Sequence, residues 1–288
     1  MHLRKSFFCP KRCNFVRKTK YMLHYISFGS GSSGNCSMLY TETDCLLLDA
    51  GVGIRMLKKD FKNYGLNPLQ IHNILITHDH SDHIRCVGGL SHNYNLPVYA
   101  VELVHKGIRK SWCVRSKIDP SLVHVVEKDQ PFQLGEFTVT AFEVPHDASD
   151  NVGYCIEHQG ITFVLMTDVG HLTDNIKSYI ARANYLVIEA DYEKEQLLTG
   201  HYPQILKDRI LSPTGHMSNE ECAIAIAENA TPALKHVWLC HLSDENNHPV
   251  LAEKTVKHIL ESYGLKAGSD FQLDILKRNT PCGIFDLI

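Results

Sequence analysis

Residues Ile74–Ile84 read ILITHDHSDHI, an apolar run followed by three histidines and two aspartates between positions 78 and 83. His78 and His80 flank Asp79, so in extended chain both imidazoles point to one side. Asp82 and His83 then curl back from the turn. Imidazole nitrogen and carboxylate oxygen are donors that suit Zn²⁺, Mn²⁺ or Fe. A strand end opening into a loop is a rigid platform from which to aim them. The chain holds 18 histidines in 288 residues, which makes chance clusters less rare. Four donors in six positions directly behind an apolar strand still exceed what a solvated polar loop accounts for.

Six residues cannot enclose two cations, so this reading requires donors further along. Three apolar β-type runs end in one: FTVTAFEVPH in His146, ITFVLMTD in Asp168 and HVWLCH in His241. Any of these alone reads as a surface side chain. Repeated three times beside the cluster, the pattern describes several strands delivering donors to one rim.

Strand-like runs at Leu23–Phe28, Cys45–Leu48, Ile74–Ile76, Val98–Ala100, Phe137–Val144, Gly153–Glu157, Ile161–Met166, Tyr185–Ile188 and His236–Cys240 alternate with helical patterns. The helical patterns centre on Ile54–Phe61, Val101–Arg109, Glu220–Glu228 and Ala252–Tyr263. Ser218-Asn-Glu-Glu221 fits a capping box at the start of the third. Consecutive strands without intervening helices point to antiparallel sheet, and the helices to an outer layer: an α+β sandwich of two mostly antiparallel sheets. No Pro/Gly/Ser linker and no internal repeat divides residues 22–288, which read as one domain.

Bulk composition, 44% hydrophobic and 21% charged, is that of a globular chain. No apolar run approaches the roughly 18–20 residues a membrane span needs. Ten cysteines include no C-x-x-C pair and lie mostly in apolar runs, as reduced thiols in a cytoplasmic protein do. Residues 1–20 carry seven basic side chains and no acid, leaving 22 basic against 32 acidic residues in the remainder. That acidic remainder weighs against nucleic acid, which needs a local basic surface. The basic stretch 1–21 reads as an extension, disordered or not native; it lacks the apolar core, about 7–15 residues, of a secretory signal.

The intact His78-x-His80-x-Asp82-His83 motif resembles the signature of the metallo-β-lactamase superfamily. The resemblance runs from about residue 24 to 280 and implies an αβ/βα sandwich with two divalent metals, Zn or Mn with Fe possible, at one edge. It implies that His78, His80 and His146 hold one metal, that Asp82, His83 and His241 hold the second, and that Asp168 bridges them. Asp49, closing CLLLDA, corresponds to a supporting carboxylate that orients a ligating imidazole. Three stretches, FGSGSSGNCS (28–37), ILSPTGHMSN (210–219) and LCHLSDENNHP (239–249), look like the YycJ/WalJ type of metallo-hydrolase. Those are regarded as cytosolic 5′→3′ exonucleases on double-stranded DNA. By that likeness His216 is the general acid or phosphate-stabilising residue, and Asp82 and His216 are the catalytic pair. One departure stands out: the family has asparagine where this chain has Asp191, which is left without a role.

Two metals about 3.5–4 Å apart can hold a hydroxide as nucleophile and bind a phosphate oxygen. The loop Gly29–Asn35, with Ser30, Ser32, Ser33 and Asn35, reads either as a phosphate-binding nest or as a hairpin turn. His248 is a weaker substrate-contact candidate. The expected substrate is nucleic acid, DNA ahead of RNA. A hydrolase of a small ester, lactone, thioester or cyclic nucleotide stands as the alternative, and a non-catalytic metal module as a third reading.

Overall fold

The computed structural model describes residues 22–288; the basic extension 1–21 lies outside the described residues. The first half of the fold comprises β1 (Leu23–Gly29), β2 (Cys36–Tyr40), β3 (Cys45–Leu48), α1 (Ile54–Asn63), β4 (Asn73–Leu75), α2 (Ser81–Ile84), α3 (Val87–Tyr94), β5 (Val98–Ala100), α4 (Glu102–Lys110) and β6 (Val123–Val125). The second half comprises β7 (Phe132–Leu134), β8 (Phe137–Glu143), β9 (Val152–His158), β10 (Ile161–Met166), α5 (Asp174–Arg182), β11 (Tyr185–Glu189), α6 (Lys194–Thr199), α7 (Gln204–Ile210), α8 (Asn219–Asn229), β12 (His236–Cys240), α9 (Pro249–Ser262) and β13 (Gln272–Ile275). A last strand, β14 (Phe285–Leu287), returns to the first sheet beside β1.

The two seven-stranded sheets run β14-β1-β2-β3-β4-β5-β6 and β13-β12-β11-β10-β9-β8-β7. The expected sandwich with helices outside is present. Its sheets are mixed rather than mostly antiparallel. Hairpins make β1-β2-β3 and β7-β8-β9-β10 antiparallel, and β14 pairs antiparallel with β1 from the far end of the chain. From β3 to β6 and from β10 to β13 every pairing is parallel. The reason is the helices: α1, α3, α4, α5, α8 and α9 each lie between consecutive parallel strands, as a crossover connection requires.

Alternation along the second sheet explains its continuous apolar runs, because both faces are covered. Phe163, Leu165, Tyr185, Val187 and Trp238 face the first sheet, while Val164, Met166, Leu186, Ile188 and Val237 pack with α5, α8 and α9. Tyr25 bridges the sheets, its ring 5.0 Å from Phe163 and 4.9 Å from Trp238. The capping box at Ser218 forms as expected: Ser218 Oγ accepts from the Glu221 amide and the Glu221 carboxylate from the Ser218 amide. The eight cysteines among the described residues are free thiols. No helix among those residues is long and apolar enough to cross a membrane.

This topology fixes the site. β3 and β4 run parallel, and so do β8, β10, β11 and β12, β8 through its antiparallel neighbour β9. The carboxyl ends of all six open onto one edge of the sandwich.

Candidate metal centre

Each donor follows directly from one of those strand ends: Asp49 after β3, the 78–83 motif after β4, His146 after β8, Asp168 after β10 and His241 after β12. Asp49, Asp168 and His241 have left-handed backbone, with φ of 60°, 56° and 55°. Non-glycine residues there carry strain of about 1–3 kcal/mol each, which the packed surroundings must hold.

The imidazoles meet. Ring centroids are 4.8 Å apart for His78–His80, 5.0 Å for His80–His146, 5.2 Å for His78–His146 and 6.0 Å for His83–His241. Four sets have donor atoms within 4.8 Å of one another: His78/His80/His146, Asp82/His83/His241, His78/His83/Asp168, and Asp168/Glu189/His216/His241. Asp168 stands between the groups, Oδ1 3.6 Å from Nε2 of both His146 and His241, and Oδ2 3.3 Å from His83 Nε2. Asp79 points away, as the alternation demands, and accepts from the Ser149 amide and hydroxyl.

Tautomers follow from what each Nδ1 touches. His83 Nδ1 lies 2.7 Å from Asp49 Oδ2, and Asp49 also accepts from the Thr77 amide. His146 Nδ1 donates to the Gly215 carbonyl at 3.0 Å, and His241 Nδ1 lies 3.2 Å from Glu189 Oε1. Nε2 of His83 and His146 is thereby left to face the cluster, while His241 Nδ1 makes no hydrogen bond among the described residues. His78 Nε2 is buried with no hydrogen-bond partner, a cost that native proteins rarely leave unmet. Burial, helped by the neighbouring imidazoles of His83, His146 and His80, pushes the His78 pKa well down. It is therefore neutral, the form that ligates. Burial alone would raise Asp168, but His241 and His83 outweigh it and hold the carboxyl ionised. An orphaned imidazole nitrogen, an ionised buried carboxylate and an all His/Asp donor set fit a pair of divalent cations.

His216 joins the cluster, 5.0 Å from the His146 ring and 5.4 Å from that of His241. Its Nδ1 lies 2.9 Å from Glu189 Oε1. Burial opposes protonation of His216, but the Glu189 and Asp191 carboxylates prevail and push its pKa up to about 9.

Glu189 is the residue that sequence reasoning missed. Fully buried at the end of β11, it receives the Val169 and Met217 amides on Oε2 and faces His216 and His241 with Oε1. It does for His216 what Asp49 does for His83, and it places a carboxylate oxygen beside His241 Nδ1, which makes no hydrogen bond. Its signal was available, since YLVIE ends in a carboxylate just as CLLLD does. Asp191 lies close by, Oδ1 3.7 Å from His241 Nδ1. Asp147 was missed as well: Oδ1 lies 3.3 Å from His146 Nε2, and the Arg209 guanidinium grips the carboxylate from α7.

The loop Gly29–Asn35 braces the site. Ser30 is buried, and its hydroxyl accepts from the His241 amide at 3.0 Å. Asn35 donates from its amide nitrogen to the Asp82 carbonyl at 2.7 Å and from Nδ2 to the Asp82 carboxylate at 3.1 Å. Gly51 permits this approach, since a Cβ there would sit 1.5 Å from the Asp82 carbonyl oxygen. Ser32 and Ser33 are exposed, Ser33 donating to Asn279. His248 is also turned to local structure: its Nδ1 accepts from the Val250 amide and caps α9.

A family model described as the β-lactamase superfamily domain matches residues 45–241. The chain belongs to that superfamily. The exodeoxyribonuclease YycJ of Bacillus anthracis is 38% identical over 261 residues, covering 87% of this chain and 94% of that protein. The exodeoxyribonuclease WalJ of Streptococcus pneumoniae is 36% identical, covering 86% and 92%. Among solved structures, the metallo-β-lactamase fold protein YhfI from Bacillus subtilis superposes with a TM-score of 0.68 at 18% identity, covering 93% of this chain and all of that one. That last likeness is one of fold.

Proposed function

We propose that the chain is a metal-dependent exodeoxyribonuclease that shortens double-stranded DNA from the 5′ end. The observation that carries the proposal is the convergence of seven donor residues from four strand ends, in a chain more than a third identical to two named exodeoxyribonucleases. In this reading His78, His80 and His146 hold one cation, Asp82, His83 and His241 the other, and Asp168 both. Zn²⁺ and Mn²⁺ suit the donors, and Fe is compatible. When bound, such cations supply Lewis-acid chemistry, activating water and offsetting negative charge on a phosphate.

The chain's own residues do the rest. Asp49 and Glu189 orient the imidazoles of His83 and His216 and fix which nitrogen faces inward. His216, its Nδ1 engaged by Glu189, keeps Nε2 to carry a proton to the departing oxygen. Asn35 and Ser30 fix the positions of Asp82 and His241.

The test is purified protein with Mn²⁺ or Zn²⁺ on end-labelled single- and double-stranded DNA and RNA, beside a panel of small esters, lactones, thioesters and cyclic nucleotides. Progressive shortening of duplex DNA from the 5′ end is expected. Faster turnover of a small ester would overturn the assignment. His216→Ala should keep both cations and lose rate by about 10²–10⁴-fold; loss of a cation would move His216 among the ligands.

A further inference from the structure

The acidic balance of the chain conceals one basic surface. Between Glu102 and Asp119 the sequence carries Lys106, Arg109, Lys110, Arg115 and Lys117 and no acid. Within this stretch Trp112 is 88% exposed, the most exposed of the large hydrophobic side chains among the described residues. It lines a cavity of about 470 Å³ together with Arg85, Arg115, Ser81, Ser116 and Gly89. Arg85 and Arg115 are both exposed. Ser81 is the link to the metal centre: it lies inside the HDHSDH motif, next to Asp82.

An indole standing in water costs free energy unless something covers it. The chemistry here selects the cover. Two guanidiniums match phosphate, and an indole face accepts any base by stacking without reading its sequence. A nuclease that degrades whatever sequence it meets needs that combination.

We propose that this cavity is a strand-binding subsite, in which Trp112 stacks on a base and Arg85 and Arg115 hold flanking phosphates of the DNA strand that runs through the metal centre. The proposal rests on the nuclease reading given above and extends it to a second set of residues. Arg85 and Arg115 supply charge where the rest of the surface repels the strand.

The chain has only two tryptophans, and Trp238 is fully buried, so emission of the full-length, cation-loaded protein reports Trp112 separately. A phosphorothioate oligodeoxythymidylate, which resists cleavage, should quench that emission to saturation. Trp112→Phe, left with Trp238 alone, should show no quenching yet bind nearly as well. Trp112→Ala should raise Kd about 5- to 150-fold, the effect of removing one stacked base. Folding is not at risk at so exposed a position. Arg85→Ala and Arg115→Ala should each make the salt dependence of log K shallower by about 0.7.

Unquenched emission at saturating oligonucleotide, or equal Kd for wild type and Trp112→Ala, would overturn the subsite. Those results with a wild type that still degrades DNA would leave the nuclease reading standing. Quenching in a protein that degrades no DNA would do the opposite, supporting the subsite and removing the reaction.

Discussion

Glu189→Gln changes one oxygen to an amide in a fully buried side chain and should disable two histidines at once. In the native protein Oε2 receives the Val169 and Met217 amides, while Oε1 lies 2.9 Å from His216 Nδ1 and 3.2 Å from His241 Nδ1. The amide oxygen of glutamine must keep the Oε2 position, because both neighbours there are fixed donors. Its NH₂ then faces the imidazoles and requires each Nδ1 to accept. The proton moves to Nε2, where His241 needs a lone pair and where His216 loses its charged form. Loss of such an orienting partner lowers metal affinity by about 10–100-fold. For stability, Glu189 is a principal reason that His216 titrates at about 9 rather than 6.5. By linkage that difference stabilises the metal-free protein by about 2–3 kcal/mol at pH 7. In a chain of this size that is about 5 °C in Tm. Scanning calorimetry in EDTA and equilibrium dialysis against Zn²⁺ measure the two effects. An E189Q protein with wild-type Tm in EDTA and two tightly held cations would refute the orienting role. E189D, which keeps the charge, should fall between.

Asp168→Ala should bring the metal content measured by elemental analysis close to zero, since its two oxygens lie 3.3–3.6 Å from three imidazole nitrogens; two cations retained per chain would end its bridging assignment. Metal-free protein should be most stable between about pH 4.5 and 6.5. Glu189 falls to about 2 against 4.5 in the unfolded chain, burial opposing the shift and His216 driving it, so its contribution is present above pH 4.5 and lost toward 2. His216 rises from 6.5 to about 9, so its contribution is full below pH 6.5 and lost as pH climbs through 9. Adding Mn²⁺ should reverse the alkaline slope, because ligands must lose protons to bind. A Tm in EDTA that is flat or rising from pH 6.5 to 9 would contradict this.

What the sequence disclosed, and what it hid, divides along one physical line. Residues whose donors converge at the strand ends were legible, because a donor at the end of an apolar run breaks the pattern around it. The motif at 78–83 does so locally, and His146, Asp168 and His241 repeat it at a distance. Residues that act on those donors were harder to see. Asp49 emerged only through resemblance, and Glu189 passed as the polar end of a strand, since a carboxylate that touches imidazole looks like one that touches water. The parallel halves of the sheets were obscured for a related reason: β13 is half exposed and three helices separate β11 from β12, so neither carries a marker of strand direction. The serine-glycine loop has a further role that its residue types do not announce. Its residue types suit an anion, but Ser30 and Asn35 use their polar groups to fix His241 and Asp82, because a bent strand end must be held from behind. Asp49, Asp168 and His241 are all held in left-handed backbone, so each donor aimed by a bend needs a neighbour to stop it relaxing. Thr77 on Asp49, Asn151 on Asp168 and Ser30 on His241 are three instances of that one requirement. A donor of this site is therefore recognised in sequence by its own position, and its support by the strand end beside it.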